Sequence, residues 1–102
     1  MTGSRYSFDA QVWEHVGPTA GFFLSVPEPI TDEIDELFGH LAAGFGSLRV
    51  EVRIGSTTWR TSIFPDTKRG AFVLPLKKAV RVAENLSDGA IAEVHLQVLP
   101  ED

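Results

Sequence analysis

Residues 6–14 alternate with a period of two, Tyr6, Phe8, Ala10 and Val12 against Ser7, Asp9, Gln11 and Trp13. That period predicts a half-buried strand. His15-Val16-Gly17-Pro18 predicts a turn. The apolar run over residues 20–26 predicts a second strand and with it a first hairpin. Pro27 and Pro29 stop that strand, because proline has no N–H for a ladder. Thr31 suits an N-cap. Behind it, Ile34, Leu37, Phe38 and Leu41 recur at i, i+3, i+4 and i+7, so an amphipathic helix is expected over residues 31–42. Gly44-Phe45-Gly46 is expected to terminate it.

Leu48, Val50, Val52 and Ile54 alternate strictly with Arg49, Glu51 and Arg53. Gly55-Ser56 reads as a two-residue turn with glycine first, and residues 57–64 return. This fixes a register in which Val52 faces Trp59, Val50 faces Thr61 and Leu48 faces Ile63 on the inner side. Glu51 then faces Arg60 on the outer side. A slip of one residue would expose every aliphatic side chain. Residues 65–70 are expected as a loop and residues 71–74 as a short strand. Pro75 is expected to open a helix over residues 76–84, on Leu76, Ala79, Val80 and Ala83. Ser87-Asp88-Gly89 turns the chain into a last strand over residues 90–99. Its Ala92, Val94, Leu96 and Val98 point inward, and Glu93, His95 and Gln97 outward. Pro100-Glu101-Asp102 forms a tail. About six strands in sequential hairpins, with two short helices, predict a mainly β fold: a small closed or nearly closed barrel capped by the helices.

Length and composition fit one domain, residues 1–102 with a core over about 5–99. The 102 residues are 43% hydrophobic and 23% charged, a globular balance that excludes disorder and fibrous repeats. There are no cysteines, which removes disulfides, thiolate metal sites and cysteine nucleophiles. The polar start, Met1 to Tyr6, has no apolar region of a secretory signal. No run approaches a membrane span, and barrel strands without a disulfide network fit the cytoplasm, which is the expected location. Charge changes the picture more. The net charge is −5, yet residues 49–81 carry eight cations against Glu51 and Asp66, while the flanking segments are strongly acidic. If the segregation survives folding, the middle third presents a basic face; otherwise its cations pair with acids of neighbouring strands.

Several local motifs together, GFFLSVP, Gly44-Phe45-Gly46, Val50-Glu51-Val52-Arg53-Ile54-Gly55, Thr61-Ser62-Ile63-Phe64-Pro65 and Leu74-Pro75-Leu76-Lys77-Lys78-Ala79-Val80-Arg81, resemble the bacterial domain-of-unknown-function family nineteen-oh-five over residues 5–99. The resemblance implies a double-split β-barrel with helical caps, and no established activity. The stretch from Leu74-Pro75-Leu76 through Val80-Arg81 to Asp88-Gly89 is more distantly similar to AbrB-like transition-state regulators. That likeness implies DNA binding only by analogy of fold.

No spacing joins His15, His40 and His95 into a metal site, and no cofactor motif is present. Ser62 has no nucleophile elbow and no histidine nearby in sequence. The acids Asp32, Glu33, Asp35 and Glu36 are explained by the helix start, where the macrodipole favours negative charge. Two cationic groups remain as candidate ligand-binding residues: Arg49, Arg53 and Arg60 on one strand face, and Lys77, Lys78 and Arg81 on the short helix, where the lysines oppose the dipole. Guanidinium groups suit phosphate or carboxylate. Trp13, on the outward parity, marks either a contact surface or core beneath a capping helix. The expectation is a non-enzymatic binding domain for an anionic ligand or a protein partner. DNA binding, or a small molecule inside the barrel against Trp59, Phe72 and Tyr6, are the alternatives. Val82 is a candidate dimer contact.

Overall fold

The computed structural model describes residues 5–18 and 20–100, with backbone only for Phe45. Residues 1–4 of the polar start and residues 101–102 of the tail lie outside the described residues. Those described form seven strands and two helices: β1 (Arg5–Gln11), β2 (Trp13–His15), β3 (Gly21–Ser25), α1 (Glu28–Phe38), β4 (Leu48–Ile54), β5 (Thr57–Asp66), β6 (Ala71–Pro75), α2 (Lys78–Glu84) and β7 (Ile91–Val98). Neighbouring strands are antiparallel in the order β1-β7-β4-β5-β6-β3-β2. This is the expected mainly β architecture with two short helices.

The seventh strand arises because residues 6–14 are not one strand. The chain changes partner at Val12. All of β1 pairs with β7, from Arg5 opposite Gln97 to Gln11 opposite Ile91, whereas β2 pairs with β3. Between them the buried Val12 donates its N–H to the Ala90 carbonyl and accepts from the Gly89 N–H, both at 2.8 Å. The two ends of the strand order are thus consecutive in the chain, and the curled sheet returns on itself. The expected first hairpin survives only at its tip. β5 is divided in the same way: residues 57–63 pair with β4 and residues 64–66 with β6.

The predicted β4–β5 register forms in full, from Leu48 opposite Ile63 to Ile54 opposite Thr57. Gly55 takes a φ of +59° in the turn, a conformation open to glycine at little steric cost. The inward rows of β4, β5 and β7 join Leu24, Leu74 and Ile34 in one continuous apolar cluster.

The helices start elsewhere than expected. α1 begins at Glu28, with Pro27 as its N-cap residue and Pro29 in the first turn, where the missing N–H would have no helical partner in any case. Thr31 is therefore inside the helix. Its buried hydroxyl donates to the Val26 carbonyl at 3.1 Å and accepts the Phe72 N–H at 3.2 Å. Ile34 is fully buried and Phe38 packs against the core, but Leu37 and Leu41 are exposed. α1 stops at Phe38, and 3-10 turns at Gly39–Leu41 and Gly44–Gly46 carry the chain to β4. Pro75 closes β6 instead of opening a helix, since the Leu76 N–H still bonds the Phe22 carbonyl of β3 at 2.9 Å. α2 consequently starts at Lys78. It buries Val80 and leaves Ala79 and Ala83 exposed. No helix among the described residues is long and apolar enough to cross a membrane.

Candidate functional site

Strand alternation puts the polar residues of β1, β7, β4 and β5 on one outer face, and register decides which of them meet. Ser7 lies opposite His95, His95 opposite Arg53, and Arg53 opposite Thr58. The adjacent row runs Arg5, Gln97, Glu51, Arg60. These two rows line a depression of about 320 Å³ bounded by Arg5, Ser7, Glu51, Arg53, Thr58, His95 and Gln97. Ser7 Oγ is 2.9 Å from His95 Nδ1. The other ring nitrogen of His95 is 3.9 Å from a Glu93 carboxylate oxygen. Arg53 spends one N–H on the Gly55 carbonyl at 3.1 Å.

The acid in this basin is already engaged. Arg60 donates its Nε hydrogen to Glu51 at 3.1 Å, the cross-strand pair that alternation predicts. Both partners keep contact with solvent, so the pair adds little stability. Its consequence is electrostatic, because it offsets Glu51, the one carboxylate lining the basin among the described residues, and leaves Arg5 and Arg53 in excess.

The six cations singled out in sequence do not gather in one place. Arg53 lines the basin. Arg60 is tied to Glu51. Arg49 points along the same face and donates to Ser62 Oγ at 3.3 Å, so Ser62 is a cross-strand partner of arginine. Lys77 and Lys78 are exposed at the start of α2. Arg81 is half-buried, bonds the Leu76 carbonyl at 3.1 Å and lies 4.1 Å from the Phe22 ring centroid. No sequence motif marks Arg5, Ser7, His95 and Gln97 as binding residues. Parity marks each of them as outward, but their meeting with Arg53 depends on β7 lying between β1 and β4.

The aromatic candidates are also separated. Trp13 is half-buried on β2. Its ring stacks on Phe23 at 5.0 Å, its Nε1 donates to Ser25 Oγ at 3.0 Å, and the Arg69 guanidinium covers it at 3.5 Å. Trp59 and Phe72 are buried in the core cluster, and Tyr6 packs against it with its hydroxyl on Glu33. Each of these three borders a different surface depression. Val82 is well exposed on α2.

No curated protein matches the chain. A family model does, over residues 8–96, which takes in every strand from β2 to β6, both helices and most of β1 and β7. On that match the chain belongs to the family described as "Domain of unknown function (DUF1905)".

Proposed function

We propose that this is a small binding domain that holds a compact anionic ligand in the basin across β1, β7, β4 and β5. The observation that carries the reading is the placement of Arg5 and Arg53 around Ser7, His95, Thr58 and Gln97, with Glu51 neutralised by Arg60. Guanidinium groups present paired donors that match phosphate or carboxylate oxygens. Arg53 keeps most of its donors after its bond to Gly55. The volume suits a small molecule, at the lower end of the roughly 300–1,000 Å³ of ligand sites. Binding is favoured over turnover because the hydroxyl of Ser7 and the ring of His95 both stand in contact with water. Catalytic groups are usually desolvated and held by a tight third partner, and Glu93 is 3.9 Å from the ring.

The test is an amide-resolved NMR titration with inorganic phosphate and pyrophosphate. Shifts should concentrate at Ser7, Arg53 and His95. Arg53→Gln should weaken binding about tenfold, equivalent to ~1.4 kcal/mol, while Lys78→Gln, away from the basin, should leave it unchanged. Saturable shifts centred on α2, or none at millimolar anion, would remove the proposal.

A further inference from the structure

β5 loses its second neighbour halfway along its length. It pairs with β6 at Asp66, Pro65 and Phe64, opposite Ala71, Phe72 and Val73. Continuing that register would bring Ser62 to Pro75 and Arg60 to Lys77. Neither rung forms. Pro75 has no N–H to return to Ser62, and Lys77 already turns away as the N-cap residue of α2. The segments part around a groove of about 300 Å³, lined by Trp59, Arg60 and Thr61 of β5, by Pro75, Leu76 and Lys77, and by residues 20–23 at the start of β3.

The β4–β5 hairpin fixes which main-chain groups face this groove. Across a two-residue turn the flanking residues form a hydrogen-bonded pair, and such pairs alternate along the ladder. Ile54 and Thr57 flank the turn, so the N–H and C=O of Thr57, Trp59 and Thr61 point to β4. Those of Thr58, Arg60 and Ser62 point away from β4, and of these three residues Arg60 lines the groove. Phe64 has the same phase and uses that side to bond β6. Among the described residues no backbone hydrogen bond reaches the Arg60 N–H or C=O from the groove side. An open strand edge of this kind is a template for another extended chain.

We propose that an extended acidic segment of a partner protein adds as a strand to the β5 edge between Thr58 and Ser62. Only an extended backbone supplies donors and acceptors at the repeat of about 7 Å that alternate strand residues require. Main-chain bonds would supply the affinity and side-chain contacts the specificity. Charge gives the sign. Lys77 stands on the groove wall, Lys78 beside it is exposed, and among the described residues no carboxylate lines the groove. The edge is short, so affinity is modest unless the partner makes further contacts.

Amide hydrogen exchange of the whole chain by NMR tests this, with a short acetylated peptide of alternating Asp and Val as probe. In the free protein Thr58, Arg60 and Ser62 should exchange much faster than Trp59 and Thr61. Saturating probe should slow Arg60 at least tenfold. The same peptide with backbone N-methylation, and a Lys/Val counterpart, should each bind at least fivefold more weakly. Lys77→Glu should weaken the acidic probe by a similar factor with its melting temperature close to that of the parent. The proposal is overturned if Arg60 is as protected as Trp59 in the free protein, or if no slowing follows probe addition. It is equally overturned if the N-methylated peptide binds as well, or if Arg60 protection rises with protein concentration alone, which would assign the edge to a second copy of the chain.

Discussion

Thr31 and Tyr6 each tie α1 to the sheet by one hydroxyl, and they do so in different solvents. Thr31 is buried, so its bonds to the Val26 carbonyl and the Phe72 N–H have no water to replace them. Thr31→Val keeps the shape and strands both main-chain groups. It should cost about 1–3 kcal/mol, read as a lower denaturant midpoint with an unchanged slope. Tyr6 donates to Glu33 at 3.1 Å. Burial, then the hydrogen bond and negative charge of Glu33, push its phenol up from 10.0 to about 12. The folded protein therefore holds this proton more tightly than the unfolded chain. The stabilisation is whole below about pH 10 and is lost as pH rises from there toward 12, where the unfolded chain releases the proton first. Tyr6 is the single tyrosine, so phenolate absorbance reports it alone. The folded protein should titrate near 12 and the denatured chain near 10. Glu33→Gln should lower the folded midpoint without bringing it all the way down, because burial is the larger cause.

At the scale of elements, the β4–β5 hairpin was legible because everything that fixes it is local: strict alternation on both strands and a glycine where the turn requires one. That glycine has a second duty. A side-chain carbon on Gly55 would collide with the carboxylate of Glu84, which accepts the Thr57 hydroxyl at 2.6 Å. Gly55→Ala should therefore lower the melting temperature both through strain at positive φ and by displacing Glu84 from Thr57. In combination with Glu84→Ala the loss should be less than additive; full additivity would show that the turn and α2 are uncoupled. The N-terminal strand shows the opposite case. Its period runs unbroken through Val12, because a change of partner leaves inward and outward parity intact, so seven strands looked like six. Thr31 looked like a cap because capping and buried Thr look alike in sequence; Pro27 and Pro29 were the better signal for the start of α1. Leu37 and Ala79 fit a helical period and still face solvent, since the sheet beneath covers a narrower stripe than the pattern allows. Arg53 could be found from its own strand, whereas His95 and Ser7 join it only through pairings across most of the chain.

At the scale of the molecule, folding disperses the charge that the sequence segregates. The basic β4 lies between β7, which carries Glu93, and β5, whose Arg60 is held by Glu51. Arg69 lies 3.6 Å from Asp66. Around the basin on the outer face of β1, β7, β4 and β5, the cations left in excess among the described residues are Arg5 and Arg53, in a chain of net charge −5. A duplex-binding surface needs many cations along a stripe, since each neutralised phosphate steepens the salt dependence by about 0.9 in the logarithm. A compact anion has no condensed counterion sheath to release, so its binding to two arginines should weaken only modestly, through screening, between 50 and 200 mM salt. A face making six to ten phosphate contacts would lose about 10³–10⁵ over the same range. Fluorescence anisotropy with labelled duplex DNA, beside phosphate titrations at both salt concentrations, separates the two. The expected outcome is a shallow slope for phosphate and no duplex binding at 50 mM. Tight duplex binding with the steep slope would place the cations of α2 in a single surface with Arg53, and would replace a compact ligand by a nucleic-acid backbone.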